Sequence, residues 1–188
     1  MIRTDDMGTE QVLEAAKEYA VEHGIDDVVV ASTTGETGAM AADVFDAADR
    51  NLAVVGHSTG YREPNEQELH DEHVEAIESA GGEIFVGPMV FSNVGAPVAK
   101  RDGHAVQSVI ANVLRLFGQG SKVAVECVLM ACDAGLVNVD RPVLSIAGTG
   151  SGADTIFLIR SANSRDFYDL RVLEVVAKPA DRENLPFY

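Results

Sequence analysis

The run Ser32-Thr33-Thr34-Gly35-Glu36-Thr37-Gly38 sets hydroxyls and glycines directly after the stretch Val28 to Ala31 and directly before a helical pattern. At a strand-to-helix turn, such side chains and the N–H groups of the helix start form a cradle for an anion such as phosphate. The same residues also suit simple capping, because Ser and Thr are favoured N-caps and Gly a favoured turn residue. The cluster exceeds what one cap needs, so phosphate binding is the expectation. It is neither a lysine-bearing P-loop nor a GxGxxG fingerprint.

Two further glycine-rich runs follow strand patterns. Ala147-Gly148-Thr149-Gly150-Ser151-Gly152-Ala153-Asp154 would let a ligand approach the backbone closely, or is a flexible hairpin loop with Asp154 as a turn residue. Gly56-His57-Ser58-Thr59-Gly60 matches the G-x-S-x-G elbow of hydrolases. Its context is poor: few strands precede it, and Pro64 with the polar run Arg62 to Gln67 delays the next helix. The later histidines, His70, His73 and His104, fall at no clear strand end. A serine hydrolase through Ser58 is therefore the remote alternative.

Glu126 and Asp133 lie seven apart in an otherwise apolar helical stretch, so both project from one face. A buried carboxylate must be paired or hydrogen-bonded. They either meet ligand hydroxyls and ring nitrogens or tie down neighbouring N–H groups, with Asp133, near the helix end, the better ligand contact. His70 and His73 have metal-ligand spacing but no placed third ligand, so no metal is assigned. Cys127 and Cys132 lack CxxC spacing and lie among apolar residues, which predicts buried free thiols.

The elements that position these loops alternate. Thr9 to His23 carries a helical stripe (Val12, Leu13, Ala16, Tyr19, Ala20) with Thr9 as N-cap and Gly24 as its stop. Strands are predicted at 27–31, 52–56 and 84–86, with helices over 38–49 and 65–80 between them. Residues 103–118 form a helix with Val106, Val109, Ile110, Val113, Leu114 and Phe117 on one face. Ser121 to Ala134 is apolar nearly all round and reads as a buried helix, although its VAVECVL segment could pass for a strand. Strands at 143–147, 155–160 and 172–177 close the chain. The fold class is α/β: a three-layer, mostly parallel sheet with helices on both faces. The last strands are too close for crossovers, so at least one is antiparallel at an edge. Ligands in such sheets bind at the carboxyl ends of strands, here the loops after Ala31, Gly56, Val86 and Ala147.

Composition bounds the function. The 188 residues suit one domain, and the 46% hydrophobic, 23% charged balance is globular. No apolar run approaches a bilayer span, and Met1 to Glu10 lacks a secretory pattern, so a cytoplasmic location is expected. Asp and Glu number 30 against 14 Lys and Arg, a net charge of −16, which disfavours nucleic acid and anionic membrane as partners. Local donors must hold any bound anion against that field. An acidic, lysine-poor surface suits a high-salt cytoplasm. A domain this rich in apolar helix can also form a homo-oligomer through a helix or an edge strand.

The stretches Val28 to Asp43, Ser58 to Tyr61, Leu116 to Val137 and Ser151 to Arg160 together resemble the small stand-alone prokaryotic proteins built on the pyruvate kinase C-terminal domain fold. The resemblance runs from about Thr9 to Pro179 and implies a single pyruvate kinase C-terminal-like α/β domain over 1–188. It also implies no kinase activity, since that active site belongs to a separate barrel domain. In some pyruvate kinases the matching domain holds a sugar-phosphate regulator on the loop corresponding to Ser32 to Thr37. The stand-alone family accommodates flavin mononucleotide (FMN) in the analogous pocket, with no established reaction. Carried over, the phosphate would sit on Ser32, Thr33, Gly35, Thr37 and Gly38, with Thr34 also among the cofactor-binding residues. Thr59, Gly60, Asp133, Gly148, Thr149, Gly150, Ser151 and Gly152 would line the rest. One departure stands: the family pattern has histidine beside the Thr-Gly pair, where this chain has Ser58, with His57 before it. The resulting expectation is a phosphate-ligand binder, FMN foremost, with a non-catalytic sensor of a phosphorylated metabolite as the alternative. No reaction is assigned.

Overall fold

The computed structural model describes residues 1–45 and 50–181. Seven strands form one sheet: β1 (Ile2–Arg3), β2 (Asp27–Ala31), β3 (Asn51–Gly56), β4 (Glu83–Val86), β5 (Pro142–Ala147), β6 (Thr155–Arg160) and β7 (Arg171–Lys178). Their order is β1-β7-β6-β5-β2-β3-β4. Strands β5, β2, β3 and β4 run parallel, and β6 is antiparallel to both its neighbours. The antiparallel strand is thus interior rather than at the edge, because β7 and the short β1 extend the sheet beyond it.

Strand alternation divides the core between two layers. Val28 and Val30 join Leu13, Phe45, Leu52, Val54, Ile77, Leu144 and Ile146 on one face. Val29 joins Ala53, Val55, Val143 and Ala147 on the other, against Val125, Val128, Leu129 and Ala131. Helices α1 (Thr9–His23), α2 (Glu36–Phe45) and α3 (Asp71–Ser79) supply the first layer. The second is built on α5 (Val106–Arg115) and α6 (Gln119–Asp133), preceded by α4 (Gly95–Asp102). A sheet buried on both faces explains the unbroken β-branched runs.

Several boundaries differ from the sequence expectations. Gly8 is the N-cap of α1, and Thr9 instead accepts a hydrogen bond from the Ala153 N–H. Gly24 ends the helix in the left-handed conformation, as expected. The helix expected over 38–49 starts at Glu36, and its residues 46–49 lie outside the described residues. The helix expected from Asn65 begins only at Asp71. Asn65 has φ +67, and the Gln67 side chain accepts from the N–H groups of Glu68 and Leu69, which holds this segment as a loop. The helix expected over 103–118 is α5, and its apolar stripe is split: Ile110 and Leu114 pack against the core beside the buried Ala111, while Val106, Val109, Val113 and Phe117 are exposed. The α6 segment is helical and buried almost throughout. No helix of the described residues is long and apolar enough to cross a membrane.

Candidate functional site

Because β2, β3, β4 and β5 are parallel, their carboxyl ends share one edge of the sheet. A cavity of about 790 Å³ opens there, lined by residues that follow each of the four strands and by one side of α6. That volume suits a mononucleotide-sized ligand.

The turn after β2 contributes Ser32, Thr33, Thr34 and Thr37 to the lining. Ser32 Oγ accepts from the Gly38 N–H at 3.1 Å, so this hydroxyl caps α2 while bordering the cavity. Gly35 and Gly38 do not line it. Gly35, at φ +92, leaves room for the His73 Cβ, and a Cβ on Gly38 would stand 2.7 Å from Val54 Cγ1 and 2.9 Å from Ile77 Cδ1. These glycines let α2 and α3 dock closely. The turn after β5 contributes Gly148, Gly150, Ser151 and Gly152. It is a hairpin loop, closed by the Asp154 N–H on the Ala147 carbonyl. A Cβ on Gly148 would collide with the Gly152 carbonyl oxygen, so the loop's tight path needs glycine there. Thr149 is not in the lining, and its Oγ1 is the buried side-chain oxygen without a hydrogen-bond partner among the described residues.

After β3, His57, Tyr61 and Arg62 reach the cavity, whereas Thr59 and Gly60 do not. Thr59 Oγ1 accepts from Gln67, and Gly60, at φ +80, donates its N–H to the Glu66 carbonyl. Glu68 binds His57 Nδ1 at 2.9 Å and Arg62 at 2.8 Å, which fixes this loop. Ser58 Oγ accepts from Asn93 Nδ2, so the G-x-S-x-G serine is held by an amide.

Helix α6 brings in Lys122 and Glu126, which the spacing i, i+4 pairs on one face. Both are almost fully buried, and both line the cavity. Lys122 Nζ donates to Glu126 and to Ser92 Oγ, and Glu126 Oε1 accepts from the Phe91 N–H. Arg115, at the end of α5, lines the cavity too and donates to two neutral amides, Gln119 Oε1 and Asn112 Oδ1. Its charge has no carboxylate offset in those bonds. Lys122, Arg115, Arg62, Tyr61 and the carboxylate Glu36 are among the lining residues that the sequence reading did not assign to the site.

Asp133 is not at the cavity. It sits exposed at the far end of α6, where Oδ1 accepts from the Ser164 N–H and Asn163 Nδ2. Asp133→Ala is expected to lower stability by about 1 kcal/mol and to leave ligand affinity unchanged. Paired thermal melts and titrations check this. His70, Glu72 and His73 bring ligand atoms within 4.8 Å of one another, on the largely exposed first turn of α3 outside the cavity.

Cys127 borders the cavity, and burial pushes its thiol up to about 12. Burial likewise raises Cys132 to about 11. Neither is a thiolate nucleophile at neutral pH. The folded chain holds both protons more tightly than the unfolded chain, whose thiols ionise at about 8.5. Their contribution to stability is complete below that pH and is lost as pH rises towards about 12. Denaturant midpoints should therefore fall above about pH 9 in the parent and fall less in Cys127→Ala. Equal falls would contradict the assignment.

No protein-family model matches the chain. Among solved structures it is similar to a pyruvate kinase from Cryptosporidium parvum, at 13% identity and TM-score 0.39, covering 80% of this chain and 22% of that one. The Cryptosporidium parvum pyruvate kinase in complex with ADP matches at 12% identity and TM-score 0.43, covering 83% and 24%. An O-ureido-L-serine-bound mutant of O-ureido-L-serine synthase matches at 17% identity and TM-score 0.33, covering 70% and 40%. The chain thus spans less than a quarter of the length of the two pyruvate kinase chains.

Proposed function

We propose that the cavity binds a phosphate-bearing small molecule and that this ligand is FMN. One observation carries the reading: in a chain of net charge −16, the Arg115 guanidinium and the Glu126-paired Lys122 converge with the Thr33, Thr34 and Thr37 hydroxyls on one cavity, where Glu36 is the other lining carboxylate. The N-terminal turns of α2 and α6 border the same space, and helix N-termini favour anions. Val55, Met89, Val123 and Met130 supply an apolar wall suited to an aromatic ring. The donor set and the volume therefore fit a phosphorylated flavin. The resemblance to the stand-alone pyruvate kinase C-terminal-like family, carried by Val28 to Asp43 and Leu116 to Val137, supports the same ligand.

When bound, a flavin supplies hydride or single-electron transfer, while the protein anchors and orients it. In this chain Thr33, Thr34 and Thr37 would donate to the phosphate, with Arg115 balancing its charge. Lys122, neutralised by Glu126 and bonded to Ser92, would offer its third N–H as a donor at the cavity wall. The same donors would serve a phosphorylated metabolite in a non-catalytic sensor, and the apolar wall favours the flavin.

Thr37→Val keeps the side-chain volume and removes one hydroxyl. It is expected to weaken FMN binding by about 1–2 kcal/mol, the scale of a lost hydrogen bond to a charged group. The folded spectrum should not change. Titration followed by flavin fluorescence measures this, and unchanged affinity would move the phosphate elsewhere.

A further inference from the structure

We propose that the outward face of α5 is a homodimer interface, with α5 of one copy antiparallel to α5 of a second. Five large apolar side chains on this short segment are exposed: Val106 69%, Val109 55%, Val113 53%, Leu116 66% and Phe117 52%. At about 100° of turn per residue, Val106, Val109, Val113 and Leu116 fall within roughly 80° of arc, opposite the buried Ala111. Soluble monomers rarely leave such a continuous apolar stripe in water.

Two features identify the occupant as a second copy of this chain. The first is the spacing, which is a palindrome: Val106 and Leu116 are equidistant from Ala111, and so are Val109 and Val113. A two-fold axis crossing the outward face at the height of Ala111 would set Val109 of one copy against Val113 of the other, and Val106 against Leu116. A two-fold interface requires this self-complementarity, because each contact must occur twice. The second feature is charge. No carboxylate lies between Asp102 and Glu126, in a chain where 30 of 188 residues are acidic. Two copies of net charge −16 repel each other over most of their surfaces, and this face is spared that repulsion. The proposal is independent of the ligand in the cavity.

Size-exclusion chromatography with light scattering tests it, over a micromolar to submillimolar range at low and molar salt. The parent is expected to show a mass near twice 20.0 kDa, reached at lower concentration in molar salt. Val109→Glu/Val113→Glu sets like charges together and should give a monomer. Val109→Lys/Val113→Glu sets opposite charges together only in the antiparallel register and should restore the dimer. Hydrogen–deuterium exchange on the parent avoids any folding defect in the variants: dilution should raise exchange in 106–117 selectively. A parent that stays monomeric in all conditions overturns the proposal. So does a dimer that both variants leave intact, or one whose dilution leaves exchange in 106–117 unchanged. Loss of the dimer in both variants overturns the antiparallel register.

Discussion

Lys122→Met is expected to destabilise the folded chain by about 3–5 kcal/mol, which lowers the melting temperature of a domain this size by roughly 6–20 °C. Methionine is one atom shorter and apolar, so the substitution removes the ammonium with its charge and its hydrogen bonds to Glu126 and Ser92 while keeping most of the packing. Glu126 would remain almost fully buried, with the Phe91 N–H as its remaining partner. An uncompensated buried carboxylate dominates the cost, because the lost Coulomb attraction alone roughly offsets the desolvation of the pair. Lys122→Met/Glu126→Gln therefore should recover most of the loss, since Gln removes the charge and still accepts from Phe91. Double-mutant denaturation measures the coupling. A loss below about 1 kcal/mol in the single variant would mean that water in the cavity already solvates the pair.

Gly120→Ala is expected to cost about 1–3 kcal/mol despite the better helix propensity of alanine. Gly120 lies in the first turn of α6, where the helix crosses the start of β6. A Cβ there would overlap Thr155 Oγ1 and stand 2.7 Å from Asp154 Oδ1. Thr155 is fully buried and donates to Asp154, so the obstacle cannot swing away freely. The helix would have to lift, and it carries Lys122 and Glu126 into the cavity. Ligand affinity and stability should fall together, in contrast with Thr37→Val, which affects affinity alone. Relief of the clash by Thr155→Ala in the same chain checks the cause.

The strands were legible because a sheet buried on both faces needs continuous β-branched runs, and Asp27–Ala31 and Thr155–Arg160 match their predicted bounds. The four cavity loops followed from the parallel order of the strands. The two-residue β1 is too short to leave a pattern, and α4 had no counterpart in the sequence reading because Gly95 and Pro97 weaken its helical signal. Proline is tolerated there because the first turn of a helix lacks internal acceptors for its N–H groups.

Within the site, Glu126 and Asp133 do share a side of α6, but seven residues also separate them by about 10 Å along the axis. One therefore reaches the cavity while the other binds the Asn163–Ser164 turn. Lys122 was readable in principle, as a lone cation i, i+4 from a carboxylate in an apolar helix. Periodicity also found the α5 stripe, but it reports which residues share a face and not what covers that face. Glycines at 35 and 38 were read as ligand contacts, whereas helix packing accounts for them.

The cavity at the carboxyl edge of the sheet is proposed to recognise a phosphate-bearing flavin. The most direct test is a matched titration with FMN and with riboflavin, which differs only by the phosphate. Saturable FMN binding, much weaker riboflavin binding, and loss of that difference in Arg115→Gln are the predicted results. Equal binding of the two, or no binding of FMN, would contradict the account.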